Sequence, residues 1–127
     1  MSSKAILVVE DRALVACAMA TTLTDAGWMV IGPAGTVAEA KRLIEEARFD
    51  VALLDAKLGG DAIDDIAAAL TRRNVPFAFV TGYAREELPV AFQSAPILVK
   101  PFSEKDLIAT VNRLFVDAAV GPRSTES

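Results

Sequence analysis

The sequence contains no histidine and only one cysteine, Cys17. Ser-His-Asp triads, histidine general bases, zinc sites of the usual Cys/His kind and an internal disulfide are therefore all excluded. Positive charge is scarce too, with 13 Lys and Arg against 17 Asp and Glu, a net charge of -4 and a pI near 4.8. A surface that holds nucleic acid needs a basic face to neutralise phosphates, so nucleic acid is not the expected partner. No apolar stretch approaches the roughly 18 residues of a membrane span and nothing resembles a signal peptide, so no membrane contact and a cytoplasmic location are expected. Neither a GxxxxGK[ST] nor a GxGxxG fingerprint occurs, which speaks against a nucleotide-binding module.

What is present is an alternation. The stretch Val51-Ala52-Leu53-Leu54 runs without a break into Asp55 and is followed by Gly59-Gly60. A short apolar run with turn residues beyond it reads as a strand buried on both faces of a parallel sheet, with Asp55 at its carboxyl end. Ala5–Val9 is a second such run and ends on Glu10-Asp11. Trp28–Pro33, Pro76–Gly82 and Ile97–Val99 complete five strands, the fourth ending in Thr81-Gly82 and the fifth in Lys100-Pro101-Phe102.

Helical spacing fills the gaps. Leu14, Val15, Ala18, Met19, Thr22, Leu23 and Ala26 give a first helix between Arg12 and Ala26, stopped by Gly27, with Cys17 expected as a small core residue. Val37, Ala40, Leu43, Ile44 and Ala47 give a second, and Ile63, Ile66, Ala67 and Leu70 a third, acidic at its start and basic at its end. Pro89 weakens the helix expected over Ala84–Ser94. Ser103 with Asp106 reads as a capping box ahead of the stripe Leu107, Ile108, Val111, Leu114, Phe115 and Ala118. Strand and helix thus alternate five times in 127 residues, with 53% hydrophobic content. The expected fold is one α/β domain over 1–119, three-layered and doubly wound, with five helices around a parallel sheet; 120–127 is expected to be a disordered tail.

In such a fold, Glu10, Asp11, Asp55, Thr81 and Lys100 gather where the strands end, the edge at which open α/β sheets bind ligands. Each has an ordinary explanation alone: the acidic pair as a helix cap, Asp55 as a turn residue, Thr81 as a strand former, Lys100 as a surface charge. Together they suggest more. Three carboxylates around one point stay ionised only if a cation joins them, and oxygen-only ligands with open positions suit Mg²⁺. A carboxylate nucleophile, a divalent ion, a lysine and a hydroxyl are the parts of an acyl phosphate-forming site, and Gly82 leaves a phosphoryl donor room to approach.

From Lys4 to about Ala119 the chain resembles a response-regulator receiver domain. The resemblance rests on Glu10-Asp11, Asp55, Thr81-Gly82 and Lys100-Pro101-Phe102 in that order. It implies a flavodoxin-like sheet of strand order 2-1-3-4-5 and phosphoryl transfer to Asp55 from a phosphohistidine of a histidine kinase or histidine phosphotransferase. It further implies Mg²⁺ bound directly by Asp11, through water by Glu10, and by Asp55 and the Lys57 carbonyl. Thr81 and Lys100 are implied to hold phosphoryl oxygens, with a cis peptide between Lys100 and Pro101.

Departures from the pattern bear on signalling. Ile97 stands where receivers usually carry a rotating aromatic residue, so no aromatic switch is expected at that place, and Tyr83 is expected to take over part of the role. Phe79-Val80-Thr81-Gly82-Tyr83 partly resembles the motif of the FATGUY single-domain receivers, with Val80 and Ala84 differing. Gly59-Gly60 and Ile63 replace the usual proline and glycine and imply a reshaped loop. Lys57 and Tyr83 occupy the places that tune hydrolysis of the aspartyl phosphate. If the chain is a whole protein, its output is binding to a downstream protein, through the face of Ala84–Ser94, the fifth strand and the last helix. The first helix is the expected docking site of the phosphodonor. The alternatives are a phosphorylation-independent pseudo-receiver and a haloacid-dehalogenase-type phosphatase, which wants an aspartate where Lys57 stands.

Overall fold

Val51–Asp55 forms the central strand, β3, and is buried from end to end, as an unbroken apolar run requires. In the computed structural model, which describes residues 4–58, 63–82 and 95–120, the other strands are β1 (Ala5–Val9), β2 (Met29–Ala34), β4 (Phe77–Thr81) and β5 (Ile97–Val99). All four pairings are parallel and the order is β2-β1-β3-β4-β5, as expected. Four helices lie among the described residues: α1 (Ala13–Asp25), α2 (Val37–Glu46), α3 (Ile63–Arg72) and α4 (Glu104–Val120). The helix expected over Ala84–Ser94, and residues Gly59, Gly60 and Tyr83, fall outside the described residues, as does the chain beyond 120.

The period-two alternation of the strands divides the core in two. Ile6, Val8, Val51, Leu53, Ala78, Val80 and Leu98 face α1 and α4, where they meet Met19, Leu23, Leu107, Val111 and Leu114. Leu7, Val9, Ala52, Leu54 and Phe79 face α2 and α3, where they meet Ala40, Ile44, Ile63, Ile66 and Leu70. Ile63 is 3% exposed, so the residue that replaces the usual glycine is a core anchor of α3. At the far end from the strand termini, Trp28 stacks on Phe115 with ring centres 5.8 Å apart, and Lys4 lies over the same Phe115 ring.

Local chemistry sets the element ends. Ser103 Oγ accepts from Asp106 N–H at 3.0 Å and Asp106 Oδ2 from Ser103 N–H at 3.4 Å, the reciprocal box expected before α4. A second box, Thr36 with Glu39, opens α2: Thr36 Oγ1 accepts from Glu39 N–H and Glu39 Oε1 from Gly35 N–H, both at 3.1 Å. Asp50, just before β3, accepts Ala5 N–H at 2.8 Å and ties the starts of two central strands together.

The first helix departs from expectation. α1 buries Ala16, Met19, Thr22 and Leu23, whereas Leu14 is 87% exposed and Cys17 and Ala18 are exposed as well. Cys17 is therefore a surface residue and not a core one. The physical reason is composition: no residue from Ala13 to Thr24 is charged, so no polar face marks which side of the helix meets water. Packing against the sheet makes the choice instead, and it leaves Leu14, Cys17, Ala18 and Thr21 in an outward stripe.

Candidate functional site

The strands deliver their terminal residues to one edge, as the topology demands. β1 ends at Val9, so Glu10 follows directly, and its N–H is fixed to Ala34 O of β2 at 2.9 Å. Asp55 closes β3, Thr81 closes β4, and Lys100 follows β5 with its N–H on Thr81 O at 2.8 Å. Glu10, Asp55 and Thr81 are 2%, 4% and 2% exposed, a burial that three polar side chains sustain only with partners. Asp11 and Lys57 are exposed at the rim.

The carboxylates converge. One oxygen each from Glu10, Asp11 and Asp55 lie within 4.8 Å of one another. Lys100 Nζ stands 3.3 Å from Glu10 Oε1 and 4.0 Å from Asp55 Oδ2. Asp55 Oδ1 accepts Lys57 N–H at 3.0 Å, which fixes the rotation of the carboxylate. Asp55 is thus a turn residue and a site residue at once. Capping, by contrast, does not explain the acidic pair, since α1 has no side-chain cap. Glu10 Oε2 accepts instead from the N–H of Arg12, the residue before the first helical turn, at 3.1 Å.

Glu10 carries the electrostatic tension of the site. Burial is the largest influence and raises its pKa above the ordinary 4.5. The neighbouring Asp55 raises it further, by charge and by hydrogen bonding, while Arg12 N–H and Lys100 pull it down. Glu10 Oε1 is buried with no hydrogen-bond partner among the described residues. A buried carboxylate oxygen held by the Lys100 ion pair but by no hydrogen bond among the described residues, beside two further carboxylates, is a donor set that fits a hard divalent cation.

Above these groups an open cavity of about 500 Å³ is lined by Asp11, Arg12, Asp55, Lys57, Thr81, Gly82 and Lys100. A β-carbon built on Gly82 meets nothing within 4 Å among the described residues. The Lys100–Pro101 bond is cis, as the resemblance implied. Ile97 is half-buried against the α2/α3 side of the core, opposite Phe79 in the β4/β5 register. Sequence reasoning missed Arg12, although its position directly after the acidic pair and before the helix was a signal that it borders the site.

Comparisons with known proteins bear on the family and the fold. The family described as "Response regulator receiver domain" matches residues 6–112. The "Transcriptional regulatory protein PdtaR" of Mycobacterium tuberculosis is 32% identical over 110 residues, covering 84% of this chain and 54% of that protein. A crystal structure of a CheY-like response regulator receiver domain protein from Methanospirillum hungatei superposes with a TM-score of 0.82 at 28% identity, covering 94% of this chain and 100% of that one. The solution structure of SdrG from Sphingomonas melonis gives 0.78 at 33% identity, covering 91% and 99%. The chain spans about half the length of the curated relatives it matches.

Proposed function

We propose, from the premise that this chain belongs to the response regulator receiver domain family, that Asp55 accepts a phosphoryl group from a phosphohistidine of a histidine kinase or histidine phosphotransferase, with Mg²⁺ as cofactor. The observation that carries this reading is the gathering of Glu10, Asp11 and Asp55 within 4.8 Å, with Lys100 alongside. Receiver domains are components of two-component signal transduction, and they typically bind Mg²⁺ through an acidic pocket of this kind.

In this mechanism an Asp55 carboxylate oxygen attacks phosphorus in line, an O–P bond forms, and the P–N bond to the donor imidazole breaks. Lys57 N–H holds the nucleophile's orientation. Asp11, Asp55, the Lys57 carbonyl and, through water, Glu10 would hold the metal, which when bound supplies positive charge to a phosphoryl oxygen. Thr81 donates to a second oxygen and Lys100 pairs with a third. Gly82 keeps the donor's approach clear. Water later attacks phosphorus, the P–O bond to Asp55 breaks, inorganic phosphate leaves and the carboxylate is restored, at a rate tuned by Lys57 and Tyr83.

The donor docks on α1, whose outward stripe of Leu14, Cys17, Ala18 and Thr21 offers an uncharged helix face. Phosphorylation adds charge at the Thr81 end of β4 and alters the neighbouring surface, which a downstream protein reads. Ile97 packs in the core, so an aromatic rotor at that place plays no part. Among the described residues no helix is long and apolar enough to cross a membrane.

The test is intact mass after exposure to acetyl phosphate and Mg²⁺, beside Asp55→Asn and an EDTA control. One added phosphoryl group that requires both Asp55 and the metal supports the reading. No adduct, even with an active cognate kinase, would make the chain a phosphorylation-independent interaction module.

A further inference from the structure

We infer that Arg12 is the residue that first receives the phosphoryl donor at the mouth of the site, and that it favours doubly charged donors such as acyl phosphates. The inference rests on the proposed transfer to Asp55 and adds to it a donor-binding group. Arg12 lines the same cavity as Asp11, Asp55, Thr81 and Lys100. Its main chain is held from both sides: its N–H is bound by Glu10 Oε2 at 3.1 Å, and its carbonyl accepts Ala16 N–H at 2.9 Å in the first turn of α1. Its side chain is exposed, makes no cap bond and forms no ion pair among the described residues. The arginine is therefore anchored at the rim by its backbone while its guanidinium makes no ion pair among the described residues.

Lys100, which lines the cavity with Arg12 and Lys57, is already paired with Glu10 and Asp55. Exposed Asp11 lines the same cavity as Asp55 and repels an incoming dianion there. A guanidinium immediately after Asp11 offsets that repulsion, and its planar fork matches two phosphoryl oxygens. With acetyl phosphate, the Asp55 carboxylate forms an O–P bond, the P–O bond to the acetyl group breaks, and acetate leaves with the electron pair. A carboxylate and a dianion become a dianionic aspartyl phosphate and acetate, and no proton moves. Arg12 contributes to holding the donor and not to the later attack of water.

The experiment follows initial adduct formation by intact mass over a series of acetyl phosphate concentrations at saturating Mg²⁺, for wild type, Arg12→Ala and Arg12→Lys. Adduct decay and calorimetric Mg²⁺ titration without donor are measured on the same proteins. Arg12→Ala should lower the slope of rate against donor about 5- to 10-fold and flatten its dependence on ionic strength, with Arg12→Lys recovering part of the loss. Decay should stay within about twofold of wild type, and Mg²⁺ should bind equally well or up to about threefold tighter, because a nearby cation has gone. An unchanged slope in Arg12→Ala overturns the inference while leaving transfer to Asp55 standing. A lowered slope with weakened Mg²⁺ binding overturns it in favour of structural damage. Absence of any adduct on the wild type overturns the transfer itself, and Arg12's role with it.

Discussion

Lys100 Nζ lies nearer to Glu10 than to Asp55, 3.3 Å from Glu10 Oε1 against 4.0 Å from Asp55 Oδ2. In the metal-free protein the lysine is the only cation seen against this pair of buried carboxylates among the described residues. Its single positive charge offsets part of theirs, and the cost of their burial depends on it.

Removing that cation exposes the cost. Lys100→Met should destabilise the metal-free fold by about 1–3 kcal/mol, since two buried carboxylates are left facing each other. Added Mg²⁺ should return part of the loss. Thermal melts with and without Mg²⁺ check both statements, and equal melting of mutant and wild type without metal contradicts them.

The raised pKa of Glu10 sets a pH dependence. Between the ordinary value of 4.5 and its raised folded value, the folded protein binds more protons at this group than the unfolded chain does. Stability of the metal-free protein contributed by Glu10 is thus greatest below that window and falls as pH rises through it. Mg²⁺ binding runs the other way, because it needs the ionised carboxylate, and tightens over the same window. Glu10→Gln should remove both trends. It should raise the Tm of the metal-free protein above neutral pH by about 4 °C, or about 1 kcal/mol, and weaken Mg²⁺ about 10-fold. Calorimetry across the pH series reads both.

Thr81 is 2% exposed at the end of β4, where a hydroxyl reaches the cavity only because the strand stops there. Thr81→Ala should slow adduct formation about 10-fold or more, with Thr81→Ser closer to wild type, as expected when a single donor to the transferring group is lost. Equal rates for Ala and wild type would remove Thr81 from the chemistry.

Gly32 holds φ +96°, and a β-carbon there would come within 2.7 Å of Ala34 N and 3.0 Å of Val8 O, both backbone atoms. Gly32→Ala should cost about 1–3 kcal/mol in urea unfolding. Because Ala34 O holds Glu10 N–H, Mg²⁺ binding should weaken with it.

The site was legible in the sequence because its residues close apolar runs: each strand announces its own carboxyl end, and parallel topology brings those ends together. Asp55, Thr81 and Lys100 needed nothing more to be placed at one edge. The outward face of α1 was not legible, since a helix without charge gives periodicity two answers, and Leu14 and Ala18 were assigned inward while Cys17 was assigned to the core. The Thr36–Glu39 box was legible as a Thr-x-x-Glu pattern and was missed, whereas the positive φ of Gly32 depends on backbone geometry that composition does not carry. The place of Glu10 as the buried member of the acidic pair, paired with Lys100, also emerged only from structure: adjacent Glu10 and Asp11 look alike in sequence, yet one is 2% exposed and the other lies at the surface.

The central claim is that Asp55, and no other carboxylate, takes the phosphoryl group. Borohydride reduction of the acetyl phosphate-treated, Mg²⁺-loaded protein followed by peptide mass spectrometry addresses it directly, because an aspartyl phosphate is reduced to homoserine and a free aspartate is not. The account predicts homoserine at position 55 alone, absent when EDTA is added. Homoserine at another aspartate, or at none while a phosphoryl adduct is present, contradicts it.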